Sequence, residues 1–355
     1  MPKLTIDGIS VEAPQGATIL DAAKAAGIRI PTLCFLKDCS AAASCRVCVV
    51  EVAGQTSLMA ACNTPAQDGM EVRTDTPRVQ AARKTALELI LSRHDLDSTH
   101  YCFSCHKNGA CELQSVCREL GVVETPYKAC TPKEPVLDSN PFLRYDPNLC
   151  IACQRCVGAC NTRARAHALH AGKRGVRTTI EAPFGPDWRT TQCESCGNCA
   201  QVCPTGALIE KRRDAYSEFD VRHVRTTCPH CAVGCQVDLV VRGNQIVDAQ
   251  AADGPTNKGM LCVKGRSASF DFVDSDRRLR TPLIKNHATG EFEPASWDEV
   301  LDLVARRFGE IKQESGGDAL AAFACSRSTN EDIYLLQKMA RCAFETNNVD
   351  NCARV

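Results

Sequence analysis

One cysteine spacing is written twice between residues 150 and 203. Cys150, Cys153, Cys156 and Cys160 stand as C-x2-C-x2-C-x3-C, and Cys193, Cys196, Cys199 and Cys203 repeat it. Three thiolates at this spacing wrap one loop around a [4Fe–4S] cube, and a helical turn carries the fourth sulfur across to a neighbouring cube. Pro204 follows the second run, where the pattern prefers proline, and Asn161 follows the first. Two copies in one chain are hard to obtain by chance.

The 355 residues include 25 cysteines. Disulfide frameworks belong to short secreted chains. This chain opens without a charged-then-apolar leader and shows no apolar run long enough to span a membrane. Metal-bound thiolates in a reducing cytoplasm are therefore expected. Lysine plus arginine, 42 residues, balance 42 aspartates and glutamates, which offers no footing for nucleic acid. The length predicts several domains of an α+β chain, and scarce aromatics (5%) predict small modules held partly by clusters.

Residues 1–77 form the first module. Leu4-Thr5-Ile6 and Ile9-Ser10-Val11 flank Asp7-Gly8, a hairpin signal. Thr18 to Ala26 reads as a helix, with Gly27 placed to cap it. Cys34, Cys45, Cys48 and Cys62 give one close pair, a strand from Val49 to Ala53 and a distant fourth thiol. That order predicts a [2Fe–2S] cluster in a β-grasp domain, since zinc sites usually pair two close couples. Cys39 reads as a bystander.

Residues 78–125 open with a helix that has Pro77 at its first turn and Val79, Ala82, Ala86, Leu87, Ile90 and Leu91 at helical spacing. Cys102, Cys105 and Cys111 lack a fourth thiolate, and a histidine, His94 or His100, completes a [4Fe–4S] set. Cys117 and Cys130 fall outside any motif. Residues 126–140 are a proline-rich linker. Residues 141–215 hold the two-cluster ferredoxin module, with a hairpin insertion from His167 to Trp188. Residues 221–277 carry Cys228, Cys231, Cys235 and Cys262 as C-x2-C-x3-C-x26-C, a further cubane on a β-rich lobe with strands Gln236–Val241 and Gln245–Ala249. In 278–355, Ser296 and Glu299 stand at capping-box spacing before Val300, Leu303, Val304 and Phe308 on one helix face. A buried strand, Ala319 to Ala324, and a helix, Thr329 to Glu345, then begin an α/β domain too short to complete a doubly wound sheet.

Leu87 to Gln114, LELILSRHDLDSTHYCFSCHKNGACELQ, resembles the [4Fe–4S] segment with one histidine and three cysteine ligands. The large subunit of respiratory NADH dehydrogenase, the iron hydrogenases and NAD-linked formate dehydrogenases share it. Their histidine stands four positions before the first cysteine, where this chain has Ser98. The flanking residues match His94, with a four-residue insertion after Asp97, and His100 is the alternative. TTCPHCAVGCQVDLVVRGNQIVDAQ and GMLCVKGR resemble the molybdenum or tungsten bis(molybdopterin guanine dinucleotide) oxidoreductases. That likeness implies Lys264 between cluster and pterin, whereas a loop lysine alone is usually only solvated. SRSTNEDIYLLQKMARCAFETNNVDNCARV resembles the formate dehydrogenase catalytic subunit, in which NNVD-x-CAR shortly precedes the metal-ligating selenocysteine or cysteine.

The order of segments resembles a soluble, NAD-linked formate dehydrogenase alpha subunit. It implies one [2Fe–2S] and four [4Fe–4S] clusters here and a Mo- or W-bis-MGD centre in the intact protein. Electrons from formate oxidation to carbon dioxide are expected to leave toward NADH-dehydrogenase-like flavin and iron–sulfur subunits or ferredoxin. The expected place of the chain end is a recoded UGA just before the metal ligand. The rival expectations are the large subunit of a complex-I-like NADH dehydrogenase and a non-catalytic multi-cluster carrier.

Overall fold

The computed structural model describes all residues except 40–41, 96–101, 103–104, 106, 128–132, 183–186, 212–215, 268–269 and 353–355. Asp97, Ser98, His100 and Cys130 therefore lie outside the described residues, as do Ala353, Arg354 and Val355. Helix and strand are mixed along the chain, which divides into two compact units. The first comprises Met1–Val224, Val240–Gln250 and Met260–Ser267. The second comprises Arg225–Leu239, Ala251–Gly259 and Ala268–Val355.

The expected hairpin opens the first unit. β1 (Lys3–Ile6) and β2 (Ile9–Glu12) are antiparallel, with Ile6 opposite Ile9. Asp7 and Gly8 take φ of 50° and 82°, the left-handed pair that a tight two-residue turn needs. β3 (Val49–Val52), β4 (Met59–Ala60) and β5 (Glu71–Arg73) complete a sheet of order β2-β1-β5-β3-β4. β5 runs parallel to β1 and antiparallel to β3. The helix Ile19–Ala25 starts at a capping box in which Thr18 and Asp21 each accept from the other's backbone N–H. It lays Ile19, Leu20, Ala22 and Ala23 on Leu4, Ile6, Val50 and Val72.

Thr76 caps the helix Pro77–Leu91, accepting from Val79 N at 3.2 Å. Buried Arg83 ties this helix to β3 by donating Nε and Nη2 to the Val49 carbonyl at 3.2 and 3.0 Å. Next, β6 (Leu143–Tyr145) pairs antiparallel with β9 (Leu208–Glu210). The 167–188 insertion contains the expected hairpin, β7 (His170–Gly172) with β8 (Thr179–Glu181). Its end returns Trp188 to the module core, 6.3 Å from Tyr145 between ring centroids.

β10 (Arg222–Thr227) precedes β11 (Gln236–Arg242) and β12 (Gln245–Ala251), which flank Gly243, each slightly longer than expected. In the second unit, β13 (Leu283–Lys285) pairs antiparallel with β14 (Phe292–Pro294), and the helix Trp297–Ser315 has the predicted Ser296–Glu299 capping box. Its apolar face is less covered than the periodicity predicts. Val304 and Phe308 are exposed, and Phe308 packs edge-on against Phe344 with centroids 5.1 Å apart. The predicted strand from Ala319 is also shortened. Gly317–Ala319 is a 3-10 turn, and β15 is Ala322–Ala324, with Phe323 exposed at 79%. The sequence pattern missed β16 (Val349–Asn351), which pairs parallel with β15 around the small core of Leu320, Ala322, Ala340 and Phe344. Among the described residues no helix is long and apolar enough to cross a membrane.

The front sheet gives a direct test of packing. Ile6 is fully buried and its partner Ile9 is half exposed. Ile6→Ala should lower the opening free energy of the sheet by about 2–5 kcal/mol. Ile9→Ala should change it by less than about 0.5 kcal/mol. Hydrogen exchange at the Thr5 and Asp7 amides, which bond to Met70 O and Val72 O, reads both.

Candidate metal centres

The front set is assembled by the loop before β3 and the turn after β4. Cys34, Cys48 and Cys62 are buried and Cys45 is half-buried. Cys45 and Cys62 hydrogen-bond to the Cys34 sulfur, which holds the Cys34 thiol down at about 2. Cys62 also bonds to Cys48, lowering it to about 7. Cys45 and Cys62, as donors and partly desolvated groups, move the other way. All four sulfurs therefore join in one chain of contacts. Arg46, between the close pair, adopts φ 56° and turns the loop tightly around them.

The duplicated runs share one backbone device. Ala152 and Gln154 have φ of 52° and 62°, and the matching Ser195 and Gly197 have 53° and 72°. Left-handed residues on both sides of the second cysteine curl each loop so that polar groups face the sulfurs. Ala152 N donates to Cys150 Sγ at 3.3 Å, Ala168 N to Cys160 Sγ at 3.3 Å and Asn198 Nδ2 to Cys196 Sγ at 3.3 Å. Burial pushes the thiols of Cys150, Cys153, Cys156, Cys160 and Cys199 up. Neighbouring sulfurs push further, and some of them belong to the other run. Cys203 of the second run acts on Cys150, Cys153 and Cys156. Cys160 of the first run acts with Cys193 and Cys196 on Cys199. Each fourth thiol thus lies within electrostatic reach of the other loop's sulfurs.

His94 and the three-cysteine run meet at one cavity of about 520 Å³, lined by His94, Cys102, Cys105 and Cys111. His94 Nδ1 faces the Leu149 carbonyl at 3.1 Å. A ring nitrogen against a carbonyl carries the proton, so the neutral ring keeps its Nε2 lone pair for a metal. Burial lowers the His94 pKa and favours that neutral form. Gly206 lines the same cavity, and a side chain there would collide with Cys105 Sγ. Cys117, which fits no motif, also lines it, and burial pushes its thiol up to about 11. The helical spacing of Leu113, Gln114, Cys117 and Arg118 is the signal that places it there. Cys39 lies instead beside Leu36, Ala159 and Val202.

In the second unit Cys228 is buried, and its N–H bonds to the Cys235 carbonyl at 2.8 Å, with Cys231 between them. Cys262 and Lys264 belong to the first unit, at the short helix Val263–Ser267, and both are exposed. Among the described residues no three His, Cys, Asp or Glu side chains close on a single ion position. An iron–sulfur cluster spreads its ligands over several irons, so each thiolate needs only its own corner. A metal-bound thiol is deprotonated outright, which relieves the desolvation that these buried sulfurs otherwise carry.

Five family models match in sequence order. They are a 2Fe-2S iron-sulfur cluster binding domain (2–77), the NADH-ubiquinone oxidoreductase-G iron-sulfur binding region (83–126) and an NADH-quinone oxidoreductase subunit 3 ferredoxin-like domain (140–209). A molybdopterin oxidoreductase Fe4S4 domain (221–273) and a molybdopterin oxidoreductase model (278–355) follow. Segment by segment, the chain is similar to iron–sulfur modules followed by molybdopterin-oxidoreductase domains. It is 36% identical to the NADPH-Fe(3+) oxidoreductase subunit alpha of Geobacter sulfurreducens, over 100% of this chain and 40% of that protein. It is 37% identical to an NADH-quinone oxidoreductase subunit of Rhizobium meliloti, again over 100% and 40%. A Staphylococcus haemolyticus protein named "putative formate dehydrogenase" is 33% identical over 99% of this chain and 39% of its own length. The chain thus spans about two-fifths of the length of these relatives. A chain of the NAD+-reducing [NiFe]-hydrogenase in its H2-reduced state matches with a TM-score of 0.54 and 33% identity, covering 59% of this chain and 87% of that one.

The cavity makes the histidine assignment testable. His94→Ala should remove or alter one cubane, with a loss of up to about four irons per chain. Cys117→Ser should leave iron content and the EPR spectrum unchanged. The reverse result would make Cys117 the fourth ligand.

Proposed function

We propose that this chain is the electron-conducting part of a formate dehydrogenase alpha subunit. The duplicated runs support the reading, since Cys203 acts electrostatically on the first loop's thiols and Cys160 on the second's. Crossed fourth ligands have a use only when two clusters are held side by side. Cys34, Cys45, Cys48 and Cys62 are assigned to a [2Fe–2S] cluster in a β-grasp module. His94, Cys102, Cys105 and Cys111 are assigned to one [4Fe–4S] cluster. Cys150, Cys153, Cys156 and Cys203 hold a second, and Cys160, Cys193, Cys196 and Cys199 a third. Cys228, Cys231, Cys235 and Cys262 hold the last, with Lys264 between it and a Mo- or W-bis-MGD pterin.

When bound, such clusters take up and release single electrons. The polypeptide holds their sites in one apolar medium. Leu33, Cys34, Leu87, Cys111, Ile151 and Cys153 share a single buried core, which takes one cysteine from each of three sets. Formate as substrate rests on the likeness of residues 326–355 to formate dehydrogenases. The proposed electron acceptors are flavin and iron–sulfur subunits of the NADH-dehydrogenase kind, or ferredoxin, in the cytoplasm. A second reading, a subunit of an NADH- or NADPH-oxidising complex, is favoured by the names of the Geobacter and Rhizobium relatives.

Two measurements separate the readings. The chain reconstituted with iron and sulfide should hold roughly 18 irons, as one [2Fe–2S] and four [4Fe–4S] clusters. About ten irons would overturn the assignment. The native complex, isolated anaerobically through a tag on this chain, should bleach its cluster absorption on addition of formate. Bleaching by NADPH or NADH with none by formate would install the second reading.

A further inference from the structure

We propose that Arg266 sets the reduction potential of the cubane assigned to Cys160, Cys193, Cys196 and Cys199, and that Gly197 lacks a side chain in order to admit it. The inference rests on the cluster assignment above. Arg266 sits on the short helix after Cys262, yet its side chain is only 1% exposed. Its Nε donates to the Cys196 carbonyl at 3.0 Å. Its Nη1 pairs with Glu210 at 3.0 Å, and Nη2 reaches Gln201 and Asn198. Leu261 N donates to the same Asn198 Oδ1 at 3.1 Å. The segment carrying Cys262 and Lys264 is therefore pinned to the second cysteine loop from both ends.

The internal repeat shows why residue 197 is glycine. Gly197 has φ 72°, but its counterpart in the first loop, Gln154, holds φ 62° with a full side chain. The backbone conformation alone does not demand glycine there. Space does, because a Cβ on Gly197 would collide with Cδ and Nε of Arg266. The loops also differ in where their cation comes from. The first carries its own, Arg155, which pairs with Glu112 at 2.7 Å. The matching residue of the second loop is Asn198, and Arg266 is supplied to that loop from about 70 residues downstream.

A reduced cluster carries one more negative charge than an oxidised one. A buried guanidinium bonded to the carbonyl of a ligand residue favours that extra charge, and in a dry site the effect is weakly screened. Glu210 acts with the opposite sign. Arg266 is thus a positioning and tuning residue that acts through Cys196.

The test is a potentiometric titration followed by EPR on the chain reconstituted with iron and sulfide. Arg266→Gln should lower the midpoint of one cubane, and Glu210→Gln should raise that same midpoint. Arg266→Lys should fall between Arg266→Gln and the parent. Gly197→Ala should lower it by displacing Arg266, whereas Gln154→Ala should leave it in place. Shifts of one sign in both the Arg266→Gln and Glu210→Gln variants would overturn the electrostatic role. So would unmoved midpoints at full iron content. Should Arg266→Gln fail to load iron, Glu210→Gln and Gly197→Ala decide by the same criterion. A parent chain without the cubane, recognised by its iron content, would overturn the cluster assignment and this inference together.

Discussion

Everything in the first unit follows from the cost of burying sulfur that must be charged. A desolvated thiol resists ionisation, and Cys150, Cys153, Cys156 and Cys199 are all pushed up by burial. Neighbouring sulfurs make the problem worse. Donors must therefore face each sulfur before any cation arrives. The left-handed residues at Ala152, Gln154, Ser195 and Gly197 supply that arrangement, because they turn N–H groups and short polar side chains inward. The modules have small apolar cores of their own, and those cores include the cysteines themselves. Structure and metal chemistry are thus inseparable here, as in other small metal-held domains.

The modules are joined through backbone carbonyls of the segment leading into Cys150. Leu149 O accepts from Thr205 Oγ1 at 2.9 Å and faces His94 Nδ1 at 3.1 Å. The Cys150 carbonyl accepts from Arg93 Nε at 3.0 Å, and Asn148 O accepts from the Asp95 N–H at 2.9 Å. Three consecutive carbonyls thus hold the 93–95 stretch. Thr205 is fully buried, so its hydroxyl has no water to turn to and must keep this bond. A histidine held this way presents one nitrogen to a metal in one orientation, which a flexible surface histidine would not.

Much of this was legible in the residue order. Spacing alone nominated the candidate cysteine sets, because iron–sulfur chemistry dictates ligand intervals more strictly than it dictates secondary structure. The Asp7-Gly8 turn, the Thr76 cap and the Ser296–Glu299 box were also readable, since each is a local device satisfied by neighbours in sequence. What escaped was non-local. Arg83 looks like a surface cation on a helix until its carbonyl partner on β3 is known. Cys117 has no motif because its place depends on how its helix packs. β16 is too short and polar to show alternation, and it becomes a strand only by pairing with β15. The helix at 297–315 failed differently, since its periodicity is real but too little of this unit lies against it.

The relatives bear on where specificity resides. Proteins named for NADPH and ferric iron, for NADH and quinone, and for formate all match this chain across 99–100% of its length. On the proposed reading, the cysteine modules position electron carriers and need no contact with a hydride donor or a carboxylate, so they have no means of preferring one. Their demands are distance, dryness and potential, and those are the same whatever supplies the electrons. Variation is then expected where the local potential is adjusted, at groups close to the sulfurs that are not ligands. Arg266 and Glu210 are such groups, a buried pair of opposite sign beside one loop. Changing either alone removes the other's ion-pair partner, which costs about 3–5 kcal/mol for a buried pair. Sequence drift should therefore move the two together, or replace both, while leaving the cysteines beside them untouched.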